Sequence, residues 1–274
     1  MIGETNRPFS MSLDTSKDFM PKVFTTTGIV TKYVNYKDND RILSVFTVDH
    51  GRIDLKAKGC RRPKSPLAPV AQPFVYAEFD IYSDKDKNTV NQATVLESFF
   101  PIREKIDAFT VASSCLQLAH EAVQIENVEK DLFQLLYYTL SYLAYSESNP
   151  KDLFIYFLAN YLSIIGYKPA LTKCARCGLS LIDEKRVFYS PEAGGAVCEN
   201  CRYGGFETGK TELEAIRRIL LLNCDDMQKV VLKNKMQSEI MRILTVQIEH
   251  SFEYGTKALS FYSDFLQQTE NIGT

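Results

Sequence analysis

Two short cysteine pairs limit what this chain can fold into more tightly than anything else in it. Cys174-Ala175-Arg176-Cys177 and Cys198-Glu199-Asn200-Cys201 are separated by twenty residues. Two C-x-x-C units at that separation read as a tetrahedral site in which four thiolates hold one zinc ion. Whatever lies between them must double back so that the two knuckles meet. Arg186–Ser190 and Ala193–Val197 supply the means, reading as a short β-hairpin, and Gly178 gives the first knuckle a permissive turn. Four thiolates leave no open coordination position, so the metal is expected to be structural, organising roughly residues 171–205. A pair of redox dithiols is the other use for such spacing. Cys60, Cys115 and Cys224 stand alone, and two core thiols and one loop thiol are expected. Seven cysteines, an odd number partly in pairs, suit a reducing cytoplasm and metal rather than a disulfide framework.

The remainder divides near residue 100 by a change of period. From Val23 to Ser98 the pattern is β, with runs at Phe24–Val34, Arg41–Val48, Arg52–Gly59, Phe74–Tyr82 and Asn88–Glu97. Turn-forming residues separate them at Tyr36–Asp40, Asp49–Gly51 and Ser83–Asn88. Five strands with one long loop after the third predict a small closed barrel of the OB-fold kind. After Pro101 apolar residues recur every three or four positions, predicting helices over Arg103–Val123, Glu129–Tyr145, Lys151–Ile165, Leu213–Leu222 and Met236–Leu266, the last broken near Gly255. Asn149-Pro150 marks one start and Gly166 one stop. Phe133–Phe157 carries more apolar residues than one stripe needs, which predicts mutual burial or, alternatively, a groove for a partner peptide. The fold class is therefore α+β. A lead over 1–22 precedes a barrel domain over 23–100, and a helical domain with the four-cysteine insertion spans 101–274. Residues 1–21 lack periodicity and read as a dispensable flexible lead, since Met20 stands just before the first strand.

One stretch of the barrel carries the charge. Gly51–Lys64 alternates Ile53, Leu55 and Ala57 with Arg52, Asp54, Lys56 and Lys58, then breaks at Gly59 and Pro63 into a loop with Arg61, Arg62 and Lys64. Six cations against the single anion Asp54 give a local charge of +5 in a chain whose formal net charge is −2. A compact basic island in an acidic chain is the footprint of a phosphate-binding surface. Tyr33, Tyr36, Phe74 and Tyr76 lie near it, and any that face outward are positioned to stack on unpaired bases. A solvated loop is the bland reading of the charges, and core packing that of the aromatics.

Several function classes are excluded by what is missing. The chain has no phosphate loop, nucleophile elbow, zinc-protease helix or dinucleotide-binding glycine pattern. His50, His120 and His250 have no Cys, Ser or carboxylate at a telling spacing, and Asp38 and Asp40 read as a turn pair. No apolar run reaches the ~20 residues of a membrane span. A non-enzymatic chain is expected, though a zinc-dependent hydrolase is a competing reading.

At this point particular residues support a resemblance. Thr27–Val30, Tyr36–Leu43, Phe46-Thr47, His50–Arg52, Lys58–Ser65 and Gln72–Phe74 resemble the N-terminal domain of the RecO family of DNA repair and recombination proteins. The order of barrel, helices, four-cysteine insertion and helices matches too, over residues of about 23–268. Two departures are the longer lead before Met20 and Cys60 in place of a smaller residue. The resemblance implies a bacterial, cytoplasmic, nucleoid-associated mediator without catalysis. Such a protein binds single- and double-stranded DNA and anneals complementary strands. With RecR it helps RecA load onto strands coated by the single-stranded-DNA-binding protein, whose tail is a further expected partner. A zinc-containing protein–protein adaptor, with the basic loop incidental, is the alternative.

Overall fold

The computed structural model describes residues 22–84, 87–123, 128–251 and Leu259. The expected flexible lead, the tip of the Ser83–Asn88 turn, and the helical reading past 251 with its break near Gly255 lie outside those residues, Leu259 excepted.

Five strands close into a barrel in the order β1-β2-β3-β5-β4: β1 (Lys22–Tyr36), β2 (Asp40–Thr47), β3 (Gly51–Ala57), β4 (Tyr76–Asp84) and β5 (Lys87–Glu97). The long β1 pairs antiparallel with β2 along one half and β4 along the other, so one strand serves both sides of the closure. Parallel pairing of Leu55 with Asn88 and Lys56 with Thr89 shuts the barrel. Gly28 is needed for the approach of β1 to β2. A Cβ there would stand 2.6 Å from the Val45 side chain and 2.7 Å from the Phe46 carbonyl. Val30, Leu43, Val45, Ile53, Leu55, Phe79 and Ile81 fill the interior, as period-two alternation requires. The long loop after β3 returns Cys60, Leu67, Val70, Ala71 and Val75 to that same core. Cys60 is thereby a barrel thiol, although its sequence neighbours are loop.

Five α-helices follow among the described residues: α1 (Ile106–Ala122), α2 (Lys130–Tyr145), α3 (Pro150–Ile164), α4 (Lys210–Ile219) and α5 (Asn234–Ser251). The reading of one helix from Arg103 is corrected. Residues Phe100–Glu104 form a separate 3-10 turn, entered through Phe99 at φ 47° and left through an extended Lys105. α3 is the central helix, buried without interruption from Asp152 to Ala159. Its start is set by Asn149, whose side chain accepts a hydrogen bond from the Lys151 N–H at 2.9 Å, and by Pro150 in the first turn. Its end is a Schellman closure, with Gly166 at φ 90° and the Tyr167 N–H on the Leu162 carbonyl at 2.8 Å. The apolar surplus of 133–157 is spent inside: Leu135, Leu136, Leu140 and Phe154 are buried in the shared core.

Barrel and helices meet through aromatic edges. Phe46 packs on Phe133 (5.3 Å between centroids), Phe74 on Phe109 (5.6 Å) and Tyr76 on Tyr137 (5.4 Å). Polar ties reinforce the contact. Thr31 sits at a register shift in β1, and its hydroxyl donates to the Ser44 carbonyl at 3.0 Å. With that proton committed, Nδ1 of His120 at the end of α1 donates to the Thr31 oxygen at 3.0 Å. Burial first, then the charges of Arg52 and Lys32 against a smaller pull from Asp54, holds the His120 pKa beneath its ordinary 6.5. A depressed histidine makes stability fall as pH drops through and below the unfolded value. Thermal melts across about pH 7.5 to 5.5 should therefore show wild type losing stability on acidification more steeply than His120→Gln. Parallel losses in the two proteins would place the acid sensitivity elsewhere.

A three-stranded sheet of order β7-β6-β8 is set between α3 and α4 in sequence: β6 (Val187–Ser190), β7 (Gly195–Cys198) and β8 (Phe206–Thr208). The expected hairpin is β6 and β7. The three-residue β8 is too short to show alternation and was not legible. Tyr189 donates its hydroxyl to the Gln247 side-chain oxygen at 2.8 Å, fixing this sheet to α5.

Candidate nucleic-acid interface and metal centre

On β3 the alternation holds side by side in the structure. Ile53, Leu55 and Ala57 point inward, while Arg52, Asp54 and Lys56 point outward, and Lys58 follows exposed in the turn just past the strand. The six cations do not share one fate. Arg52 donates to the His120 carbonyl at 2.7 Å and so ties the barrel to the C-terminus of α1, where a cation meets the carbonyl end of the helix. Lys56 pairs with Asp40 at 3.3 Å. Asp40 also accepts the Gly59 N–H at 2.8 Å, and that bond, with Lys56 and Lys37 beside it, holds its carboxyl under the usual carboxylate range. Lys58, Arg61, Arg62 and Lys64 are exposed and form no ion pair among the described residues.

The loop is placed by backbone geometry. The Arg61 N–H donates to the Asn39 carbonyl at 3.0 Å, pinning the basic loop against the β1–β2 turn. Gly59 sits at φ 66°, a left-handed position that a side chain would resist, and reverses the chain as β3 ends. Lys37, in that β1–β2 turn, joins the cationic end of the barrel, a residue the charge count over 51–64 did not include. Arg41 also lies close but is committed: it stacks on Tyr33 at 3.8 Å and donates to the Ala71 carbonyl at 2.5 Å.

Of the four candidate aromatics, three are used internally. Phe74 and Tyr76 belong to the barrel–helix contact, and Tyr33 packs on the barrel core under Arg41. Tyr36 is 42% exposed, with the Lys56 ammonium 4.9 Å and the Lys37 ammonium 5.6 Å from its ring centre.

The four cysteines of the paired motifs come together. The sulfur atoms of Cys174, Cys177, Cys198 and Cys201 all lie within 4.8 Å of one another, and all four are free thiols. The 3.8 Å between Cys177 and Cys198 matches the edge of a tetrahedron with metal–sulfur bonds of ~2.3 Å. A disulfide would draw the two sulfurs to ~2.0 Å. Burial disfavours the Cys174 thiolate, but backbone N–H groups of Cys177, Cys198 and Arg176 aimed at its sulfur outweigh it and bring the pKa down to about 6. Burial pushes Cys198 up, and hydrogen bonds with Cys198 and Cys177 push Cys201 up to about 12. Close thiols resist joint ionisation until a cation neutralises them, so this donor set fits a soft-ligand dication. Among the described residues it is the only grouping of three or more metal-ligating side chains. Cys60 and Cys115 are buried and Cys224 half-buried, away from the cluster.

Comparison with known proteins follows the same division of the chain. The family description "Recombination protein O N terminal" matches residues 20–99, and "Recombination protein O C terminal" matches residues 103–259. A protein of Caldicellulosiruptor saccharolyticus named DNA repair protein RecO is 30% identical over 240 residues, covering 86% of this chain and 96% of that protein. Its namesake in Acetivibrio thermocellus is 34% identical over 176 residues, covering 64% and 69%. The one from Desulforamulus reducens is 26% identical over 258 residues, covering 92% and 99%. With both family regions matched in order across barrel and helices, the chain belongs to the recombination protein O family.

Proposed function

We infer that this chain is a non-catalytic mediator of DNA repair and recombination. Its barrel holds single- and double-stranded DNA by the phosphate backbone, along the outer edge of β3 and the loop after it. One observation carries the reading. Lys58, Arg61, Arg62 and Lys64 stand exposed and unpaired among the described residues, at one end of the barrel of a chain with net charge −2. Unpaired like charges crowded at one end of an otherwise acidic chain repel one another, and a polyanion relieves that repulsion. Lys56 adds to it from the strand, and Arg52 lends its positive potential while its hydrogen bonds go to α1.

The strand order β1-β2-β3-β5-β4 with parallel β3–β5 supports an OB-fold, a platform recurrent among single-strand binders. We take 23–100 as the DNA-binding unit and 101–274 as the helical unit. In the latter, zinc held by Cys174, Cys177, Cys198 and Cys201 fastens the two knuckles and leaves no position open for chemistry. The relatives' name, DNA repair protein RecO, supports the repair role. Strand annealing and, with RecR, RecA loading onto strands coated by the single-stranded-DNA-binding protein belong to the proposal through the family resemblance. Work on the bacterial chromosome in the cytoplasm follows from that role. Among the described residues no helix is long and apolar enough to cross a membrane.

Annealing of complementary oligonucleotides, bare and coated, tests the reading. The protein should speed pairing in both conditions, because neutralised backbones repel less as two strands approach. No acceleration in either condition would remove the mediator assignment.

A further inference from the structure

The outer face of β1–β2–β3 is not uniformly basic. Register places Lys32, Ser44 and Asp54 in one row and Val34, Ile42 and Lys56 in the next, with Tyr36 following on β1 opposite Asp40. Asp54 accepts from the Ser44 hydroxyl at 2.6 Å, which occupies the one anion of the upper row. Val34 is 58% exposed and Tyr36 42%, and the partly buried Ile42 lies directly across from Val34. An apolar strip therefore runs down the sheet, with Lys32 at one end, Lys37 at the other, and Lys56, paired with Asp40, along its side. A strand face turned to water is normally polar, so Val34 beside Tyr36 calls for an occupant. The cations around the strip require that occupant to combine flat apolar surface with negative charge.

We propose that unpaired nucleobases cover the Val34–Ile42–Tyr36 strip, with Tyr36 as the stacking residue, so that this face tells single strands from duplex. The proposal rests on the DNA-binding reading and extends it. The basic loop holds phosphates of either form, whereas only an unpaired strand offers base faces to an aromatic ring. Tyr36 is singled out because Tyr33, Phe74 and Tyr76 are spent on interior contacts. Tyr36 is 42% exposed, and the Lys37 and Lys56 ammonium groups now over its ring, 5.6 and 4.9 Å from the centre, would move to the phosphates flanking a base that stacks there.

Three probes test it at one fixed salt concentration: a single-stranded oligonucleotide, an abasic strand of equal length, and the duplex. Wild type should bind the base-bearing strand roughly 5- to 100-fold more tightly than the abasic one. Tyr36→Ala should lose about that factor on the single strand only, keep duplex affinity within about twofold, and leave the salt slope unchanged. Tyr36→Phe should retain binding, since the ring does the stacking. Equal wild-type affinity for abasic and base-bearing strands overturns the proposal while leaving the phosphate surface standing, and so does an equal loss on duplex. Failure of wild type to bind any of the three removes the DNA reading and this inference together. Dissociation of a dimer by Tyr36→Ala, with DNA affinity intact, would assign the strip to a second copy and overturn it as well. Should Tyr36→Ala not fold, the wild-type comparison of abasic with base-bearing strand decides alone.

Discussion

Cys174→Ser is expected to cost the protein its metal and to unfold far more than one knuckle. Elemental analysis of wild type purified without added metal should return close to one zinc per chain, because the four sulfur atoms lie within 4.8 Å of one another, close enough to share one ion. Structural zinc contributes on the order of 10 kcal/mol to the folding of small zinc modules, so loss of a ligand belongs with the exceptional mutations above about 4 kcal/mol. The damage should spread. Cys174 and Cys198 are buried within the same core that includes α3 and α5, and Tyr189 on β6 is bonded to Gln247 on α5. Hydrogen exchange should therefore quicken over residues of about 171–208 and in α5, while β1–β5 stay protected. Cys224→Ser is the matched control. That thiol is half-buried beside Tyr156 rather than near the cluster, and its replacement should leave metal content at wild-type level. Equal effects of the two substitutions would dismiss the zinc assignment.

Removing Arg61 and Arg62 together should weaken DNA binding without weakening the fold. Both side chains are exposed and unpaired among the described residues, so their loss buries and strands nothing. Four free cations, Lys58, Arg61, Arg62 and Lys64, predict a slope of log K against log salt near −3 for single strands, from about −0.7 for each phosphate contact. The double variant should flatten that slope by roughly 1 to 1.5, weaken unrelated sequences alike, and anneal poorly. Arg217→Ala with Arg218→Ala is the control. Both arginines contact Glu214, at 2.6 and 2.9 Å, so their field is already partly cancelled. If the control loses as much DNA affinity as the loop variant, the barrel is not the principal DNA platform.

Arg52 shows where local reading ends. The alternation of Gly51–Lys58 puts it on the outward side of β3 with Lys56, yet its hydrogen bond goes to a carbonyl sixty-eight residues away. Lys56 likewise finds Asp40 across the neighbouring strand. The aromatics divide in the same way. Tyr33, Tyr36, Phe74 and Tyr76 are equivalent candidates in the chain, and only docking of the barrel on α1 and α2 engages Phe74 and Tyr76 and leaves Tyr36 outside.

What the sequence determined by itself is what depends on near neighbours. Period-two and helical spacing located the five strands, the first four helices and the start of the fifth to within a few residues, except where Phe100–Glu104 departs from α1. The C-x-x-C knuckles announced their own meeting, because a metal tolerates few ligand geometries. The asparagine cap at Asn149 and the glycine stop at Gly166 are likewise interactions within one turn. Tertiary structure decided which charges are free, which rings are exposed, and that β8 exists at all. Those outcomes depend on partners tens of residues distant, brought close only when barrel, helices and knuckles pack against one another.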